Sequence, residues 1–218
     1  MSYLHFYHLK KEPFNVTPDP EFLFLSPSHK EALGVFIYGI TKRKGIVAVI
    51  GEVGVGKTTV LRSYLEGVNP EALKTIYMFN ANVSFADLMR MLCDELNVTP
   101  KNENVFDMVT EAHHALIEEY KKGRNVVLIV DEAQNMPVDT LENLRMLSNL
   151  ETSKDKLIQI ALIGQPELEE KLNRHELRQL KQRVAVRSTI RPLTTEESMD
   201  YIQHRLAKCR MKTERRAT

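Results

Sequence analysis

Five short apolar runs, rich in β-branched residues, alternate along the chain with longer segments in which apolar residues recur every three or four positions. The short runs are typical of buried strands, and the longer segments are typical of amphipathic helices. The predicted strands cover residues 46–50, 74–80, 126–130, 157–163 and 184–190. The predicted helices cover residues 29–41, a segment that ends near 66, and residues 84–96, 105–121, 139–150, 167–182 and 195–209. This alternation predicts an α/β fold in which helices cover both faces of a parallel sheet.

The two ends of the chain depart from this alternation. Residues 1–30 contain four prolines with aromatic residues between them, which excludes a long helix and predicts an irregular, docked arm. Residues 31–191 then form the α/β core. Residues 192–218 contain one predicted helix and a basic tail, and we expect them to be the beginning of a truncated helical lid.

The first predicted strand leads into the sequence GEVGVGKT, which fits G-x-x-x-x-G-K-[ST] at every defined position. Glycines in such a loop let main-chain N–H groups approach an anion, and the next helix adds the positive end of its dipole. The loop resembles the Walker A loop of the P-loop NTPases. That resemblance assigns ATP binding to Glu52, Val53, Gly54, Val55, Gly56, Lys57, Thr58 and Thr59. It also implies a catalytic role for Lys57 at the outer phosphates and makes Thr58 a Mg²⁺ ligand. The alternative is a chance glycine-rich turn.

The apolar run at 126–130 ends in two acids, Asp131 and Glu132, 74 residues after Lys57. A continuous apolar run is typical of a strand buried on both faces of a parallel sheet. Together with the acids it resembles the Walker B motif, which assigns Asp131 to Mg²⁺ and Glu132 to the water that attacks the γ-phosphate. The alternative is that the two acids only begin a helix, where they favour its dipole.

Two further candidates depend on a resemblance to the AAA+ branch of the P-loop ATPases. Gln165 follows the fourth predicted strand, at the position called sensor 1, and would hydrogen-bond the attacking water or the γ-phosphate. Arg183 precedes the fifth predicted strand, where an arginine finger would reach the γ-phosphate of a neighbouring subunit. Arg178 and Arg174 are the second and third choices for this finger. A turn residue and a solvated basic helix face are the alternatives.

Composition limits the other classes of protein. The net charge of +1 gives no general attraction to nucleic acid or to an anionic membrane, so such binding would need a local basic patch. No apolar run is long enough to span a membrane, and no signal peptide is visible. The two cysteines, Cys93 and Cys209, match no metal-binding spacing.

Five segments in this order resemble the ExeA/GspA family of AAA+ ATPases from bacterial secretion and pilus-assembly systems. They are residues 11–33, the loop GEVGVGKTT, the string LIVDEAQN, the string IGQPEL and residues 180–206. The resemblance spans essentially the whole chain. It implies a three-layer α/β/α P-loop NTPase core with a five-stranded parallel sheet in the order 5-1-4-3-2, plus the start of a helical lid. It also implies a cytoplasmic ATPase domain, which in full-length members precedes a membrane segment and a periplasmic peptidoglycan-binding region.

We therefore expect an ATPase with ATP and Mg²⁺ as cofactors that drives or gates assembly of a secretion or pilus machine in the cell envelope. It would form a homo-oligomer, with slow turnover without oligomerisation or a partner. It would lie in the cytoplasm, or form the cytoplasmic domain of an inner-membrane protein. Transposition ATPases of the TnsC, TniB and MuB type share much of this core. A DNA-binding regulator that forms nucleotide-dependent filaments is therefore the alternative. The basic residues between 171 and 191 and the basic tail favour it, whereas the balanced overall charge argues against it. A third hypothesis is a nucleotide-gated scaffold in which ATP binding alone switches assembly.

Overall fold

A single parallel sheet of five strands forms the centre of the computed structural model, which describes residues 3–14, 22–102 and 104–210. The strands are β1 (Ile46–Gly51), β2 (Leu73–Met78), β3 (Asn125–Val130), β4 (Ile158–Gly164) and β5 (Val184–Ile190). Their order across the sheet is β2-β3-β4-β1-β5, and every neighbouring pair is parallel. Read in the opposite direction, this is the predicted order 5-1-4-3-2, so the predicted fold is confirmed.

The helices connect these strands in the alternating pattern that the sequence predicts. They are α1 (Tyr3–Phe6), α2 (Pro27–Thr41), α3 (Lys57–Glu66), α4 (Phe85–Leu96), α5 (Val105–Lys121), α6 (Val138–Ser148), α7 (Pro166–Leu172), α8 (Arg178–Arg183) and α9 (Thr195–Cys209). Short 3₁₀ turns at Ala133–Asn135 and His175–Leu177 precede α6 and α8. None of the helices within the described ranges is long and apolar enough to cross a membrane.

Burial explains why some strands read as continuous apolar runs. Every residue of β1, β3 and β4, the three inner strands, is buried. Alternate residues of these strands pack into one apolar cluster with α4, α5 and α6. The edge strands β2 and β5 alternate between buried and more exposed residues, since part of each edge strand faces solvent.

A buried amide network lies where the inner strands begin. Gln159, in β4, has no exposed surface, and its Oε1 accepts a hydrogen bond of 2.8 Å from the N–H of Gly45. Its Nε2 donates to the Lys156 carbonyl at 3.0 Å and to Oδ1 of Asn125 at 3.3 Å. Asn125 in turn donates to the carbonyl of Ile40 at the end of α2, at 2.6 Å. The network therefore joins β3, β4, α2 and the entry to β1.

One predicted helix is not continuous, and several predicted element ends differ from the observed ones by one or two residues. The continuous helix predicted over 167–182 is broken: α7 ends at Leu172, and the 3₁₀ turn at His175–Leu177 separates it from α8. The second strand is shorter than the predicted 74–80, because β2 covers Leu73–Met78 and the 91% exposed Phe79 lies outside it.

The chain divides into two compact units, residues 28–191 and residues 1–27 together with 192–218. Within the second unit, Leu9, Phe22 and Cys209 share a small apolar cluster, and the guanidinium of Arg205 lies 4.8 Å from the centre of the Phe22 ring. Thr194 caps α9 by accepting from the N–H of Glu197. Residues 15–21 of the predicted arm and the predicted basic tail at 211–218 lie outside the described residues. The predicted division into arm, core and lid stays a prediction.

Candidate active site

The Walker A-like loop follows β1 and leads directly into α3. Gly54 and Gly56 have φ angles of 79° and 94°, in the left-handed region that favours glycine. A side chain at Gly56 would also meet Nε2 of His29 at 2.8 Å. His29, from α2, contacts the carbonyl oxygen of Val55 through the same Nε2 at 2.7 Å. The loop is therefore held against α2, and α3 begins at Lys57 with its N-terminus towards the loop.

Lys57 lies inside the curve of this loop. Its side chain is buried at 7% exposure, and Nζ donates to the carbonyl oxygens of Gly51 and Glu52 at 2.8 and 2.9 Å. Val53, at the tip of the loop, is 75% exposed, whereas Thr58 and Thr59 continue into the first turn of α3. The predicted phosphate-binding residues thus form one continuous segment, and their roles towards ATP stay predictions.

Asp131 follows β3 and faces the start of α3. Its Oδ2 lies 3.5 Å from Oγ1 of Thr58, so the two predicted Mg²⁺ ligands are neighbours. A carboxylate and a hydroxyl are the hard oxygen donors that Mg²⁺ prefers, and they fit an ion that completes its shell with phosphate and water. Among the described residues, no group of three or more His, Cys, Asp or Glu side chains could hold a metal alone. The donor set therefore fits a metal that arrives with a nucleotide.

Two glutamine side chains hold the carboxylate of Glu132. Gln165, which immediately follows β4, donates from Nε2 to Oε2 of Glu132 at 2.9 Å, and Nε2 of Gln134 donates to the same oxygen. The hydrogen bonds from Gln165 and Gln134 lower the pKa of Glu132, with a smaller contribution from the charge of Lys57. The backbone of Glu132 has a φ of 51°, which turns the chain sharply after β3. The site therefore presents an ionised carboxylate in one orientation.

Gln134 is a residue of the candidate site that no sequence pattern predicted. Its Oε1 accepts a hydrogen bond of 3.1 Å from the N–H of Gln165, which leaves Nε2 for Glu132. Gly164 leaves room for this amide, because a Cβ at Gly164 would lie 2.8 Å from Oε1 of Gln134. Lys171, from α7, fixes the same turn by donating to the carbonyl oxygens of Gln134 and Met136 at 2.6 and 2.7 Å. Only the position of Gln134 in the string LIVDEAQN could have indicated it.

Tyr77 was also missed. It lies in β2, and its hydroxyl donates to Oδ2 of Asp131 at 2.8 Å. Burial, followed by the hydrogen bond to Asp131, raises the pKa of Tyr77, so the hydroxyl keeps its proton at neutral pH. Its position near the end of the second predicted strand is an indirect signal, because β2 and β3 run parallel and end at the same edge of the sheet.

The three candidate finger arginines lie apart from these residues. Arg183 is the last residue of α8, Arg178 is its first, and Arg174 lies in the connection after α7. All three are exposed, and across the described ranges none of their side chains makes a hydrogen bond or ion pair. The structure thus leaves them available to another molecule, and the choice among them stays a prediction.

Sequence comparison gives two results. A protein-family model described as an AAA domain matches residues 40–172, which include the loop, both acids and Gln165. The chain is also 38% identical over 208 residues to General secretion pathway protein A of Aeromonas hydrophila. This match covers 94% of the present chain but only 37% of that protein, so the chain spans little more than a third of this relative.

Structure comparison finds the same architecture in more distant proteins. Cdc6p from Pyrobaculum aerophilum has a TM-score of 0.61 at 18% identity, with 90% of this chain and 55% of that chain covered. The Aeropyrum pernix ORC2 protein, solved as ADPNP-ADP complexes, has a TM-score of 0.59 at 14% identity, with 88% and 56% covered. At these identities the likeness is one of fold.

Proposed function

This chain belongs to the AAA domain family, and from that premise we propose that it binds Mg·ATP and hydrolyses it to ADP and phosphate. The observation that supports the proposal is that the segments after three strands, β1, β3 and β4, lie at one edge of the sheet. The loop after β1, Asp131 after β3, and Gln165 after β4 all lie at the carboxyl edge of the sheet, where α/β proteins bind ligands.

Each group has a chemical task in this proposal. The loop amides and Lys57 would bind the phosphates, and Thr58 and Asp131 would hold Mg²⁺, which neutralises charge on the phosphate oxygens. Glu132 would accept a proton from the attacking water. Its lowered pKa keeps it ionised at neutral pH, and the two glutamines orient it. An arginine from a second copy, with Arg183 as first choice, would add positive charge where the transition state develops negative charge.

We further propose that the ATPase drives or gates assembly of a secretion or pilus-type machine in the cell envelope. The support is the sequence identity of 38% to a protein whose name assigns it to general secretion. A location in the cytoplasm, or in the cytoplasmic part of an inner-membrane protein, belongs to the same proposal, because ATP is supplied there.

Some cations of the basic segment have partners, whereas Arg174, Arg178 and Arg183 are exposed with no side-chain hydrogen bond in the described ranges, so the DNA-filament alternative stays open. Lys171 donates to two backbone carbonyl oxygens. Lys181 donates to Asn173 at 2.6 Å, and Arg187 pairs with Glu169 at 3.3 Å. Exposed pairs of this kind still leave some positive charge at the surface, so DNA-stimulated hydrolysis is the observation that would favour a DNA-organising role. A slow, nucleotide-gated scaffold would instead bind ATP and turn it over negligibly even when assembled.

The Glu132→Gln variant tests the hydrolytic proposal. The substitution keeps the size of the side chain and removes the proton acceptor, so ATP should still bind while turnover falls roughly 100-fold or more. Phosphate release and the binding of a fluorescent ATP analogue would be measured on the same preparation. The matched control is Glu142→Gln, because Glu142 lies on α6 and its carboxylate pairs with Arg145 of the same helix.

Two results would contradict the proposal. If wild-type protein binds no ATP in the presence of Mg²⁺, the phosphate-binding assignment is wrong. If ATP binds and Glu132→Gln hydrolyses it at the wild-type rate, the assignment of Glu132 is wrong.

A further inference from the structure

The carboxylate of Asp131 is held at both oxygens. Its Oδ1 accepts a hydrogen bond of 2.9 Å from the N–H of Glu132. Its Oδ2 accepts from the hydroxyl of Tyr77 at 2.8 Å and lies 3.5 Å from Oγ1 of Thr58. The Tyr77 bond is the shortest of the three, and it comes from a different strand. An ionised carboxylate has about four lone-pair sites, so these donors leave room for a cation.

Sheet register explains how Tyr77 reaches this oxygen. In the parallel pairing of β2 with β3, Tyr77 is opposite Ile129 and Met78 is opposite Val130, so Asp131 begins just past the end of the ladder. Ile76 and Met78 are buried, and Tyr77 points to the other side of β2 because successive side chains alternate. The centre of the Phe79 ring lies 4.9 Å from the centre of the Tyr77 ring.

We propose that Tyr77 is a positioning residue for magnesium, because its hydroxyl holds the Asp131 carboxylate in the orientation that meets the metal beside Thr58. The inference rests on the proposed binding of Mg·ATP. Groups that hydrogen-bond a metal ligand fix its orientation, and their loss typically lowers metal affinity about 10- to 100-fold. Tyr77 acts through Asp131, and its role differs from that of Lys57, which lies in the loop itself.

Tyr77→Phe removes one oxygen atom and keeps the ring between its neighbours. Binding of a non-hydrolysable ATP analogue would be measured in EDTA and then at increasing Mg²⁺ concentrations. We expect the affinity in EDTA to match wild type. The Mg²⁺ concentration that gives half of the metal-dependent gain in affinity should rise about 10- to 100-fold in the variant.

Tyr120→Phe is the matched control. Tyr120 lies on α5, and its hydroxyl makes an equivalent bond of 2.9 Å to Oδ2 of Asp155, away from the loop. This variant loses a tyrosine–aspartate hydrogen bond without touching Asp131, so its Mg²⁺ dependence should equal that of wild type. Comparing the two variants separates metal positioning from a general loss of a hydrogen bond.

A second measurement tests whether Tyr77 acts through Asp131. In an Asp131→Ala background, Tyr77→Phe should have no additional effect on the Mg²⁺ dependence, because residues that act as a unit are non-additive. A full additional effect in that background overturns the inference.

Other outcomes are also decisive. A Tyr77→Phe protein with an unchanged or lower Mg²⁺ midpoint overturns the inference, as does an equal loss of affinity in EDTA and in Mg²⁺. If wild-type protein itself gains no affinity from Mg²⁺, the proposed function fails instead, so the two failures are distinguishable.

Discussion

The side-chain amide of Gln134 has its two ends fixed by different partners, the N–H of Gln165 and the carboxylate of Glu132. Gln134→Leu keeps a similar volume and removes both bonds. We expect kcat for ATP to fall roughly 10- to 100-fold, since a hydrogen bond to a charged group contributes about 1.5–3 kcal/mol. The Kd for Mg·ATP should not change. Single-turnover kinetics and equilibrium binding measure the two quantities separately.

Asn135→Leu is the control for this substitution. Asn135 is the next residue of the same 3₁₀ turn, and its side chain is exposed, so the variant should keep the wild-type kcat. Wild-type kcat in Gln134→Leu would mean that Gln165 alone is sufficient to hold Glu132.

Local patterns predicted some site residues and could not predict others. Lys57, Thr58 and Asp131 stand at fixed offsets from a strand end, so their spacing is visible in the sequence. Tyr77 and Gln134 act through contacts that depend on strand register and on the rotamer of an amide. A tyrosine in an apolar strand has no local feature that separates a packing role from a contact with Asp131.

The junction between α5 and β3 contains a partly buried ion pair with a defined pH dependence. Burial alone would raise the pKa of Glu119, but hydrogen bonds from Arg124 and Lys122 outweigh it and lower the pKa. A carboxyl whose pKa is lowered by folding stabilises the fold above its ordinary pKa of about 4.3. That stability is lost as the pH falls through the lower, folded value.

Glu119→Gln should therefore lower the free energy of unfolding at pH 7 by about 1–3 kcal/mol. The difference from wild type should shrink as the pH falls below the ordinary glutamate pKa of about 4.3 and through the lower folded value, because Glu119 then becomes protonated in wild type as well. Urea unfolding at several pH values measures this. The control is Glu118→Gln: the side chains of Glu118 and Lys121 are 58% and 65% exposed, so its effect should be much smaller than that of Glu119→Gln. Equal effects of the two variants would contradict the expectation.

Secondary-structure elements were predicted where burial is uniform and missed where a helix changes phase. The inner strands were predicted correctly because burial on both faces requires apolar residues at every position. The helix predicted over 167–182 is broken between Leu172 and Leu177, both buried. Five positions rotate an ideal α-helix by roughly 140° beyond a full turn, so a continuous helix could not bury both residues on one face. The 3₁₀ turn at His175–Leu177 lies within this break.

The exposed arginines predict that ATP turnover depends on a second copy of the whole molecule. Arg183→Ala should bind ATP and lose most of its turnover, because an arginine finger contributes roughly 10³- to 10⁵-fold in related mechanisms. Mixing Arg183→Ala with Glu132→Gln should restore activity, since one protein supplies the arginine and the other the intact Glu132. Phosphate release at a series of mixing ratios measures this complementation.

Arg178→Ala and Arg174→Ala serve as comparison variants in the same mixing experiment, because both side chains are equally exposed. Complementation by one of them and not by Arg183→Ala would move the finger to that residue. If no mixture regains activity while wild-type turnover still rises with protein concentration, the finger is none of the three.

The resemblance to the secretion family could be predicted from the whole sequence because the shared motifs lie in a fixed order. The resemblance to general secretion pathway A proteins is confirmed by 38% identity over 208 residues. The partner and the cargo could not be predicted, because they depend on exposed residues with no required spacing. Phe79 and Phe106, for example, are exposed, and no sequence pattern indicates which other molecule they would contact.

The enclosed amide of Gln159 has a consequence for how the strands choose their partners. Its bonds to Gly45 and Asn125 form only when β4 meets β1 and β3 in the observed alignment, whereas its bond to the Lys156 carbonyl is local. The valines, leucines and isoleucines around it would tolerate a shifted strand register, because their apolar side chains are similar in size and chemistry. A register shift would leave the Gln159 amide in the apolar core without these hydrogen bonds, at a cost of about 1–3 kcal/mol for each unsatisfied polar group. Gln159 thus disfavours folded states in which the strands of the sheet pair in a shifted register.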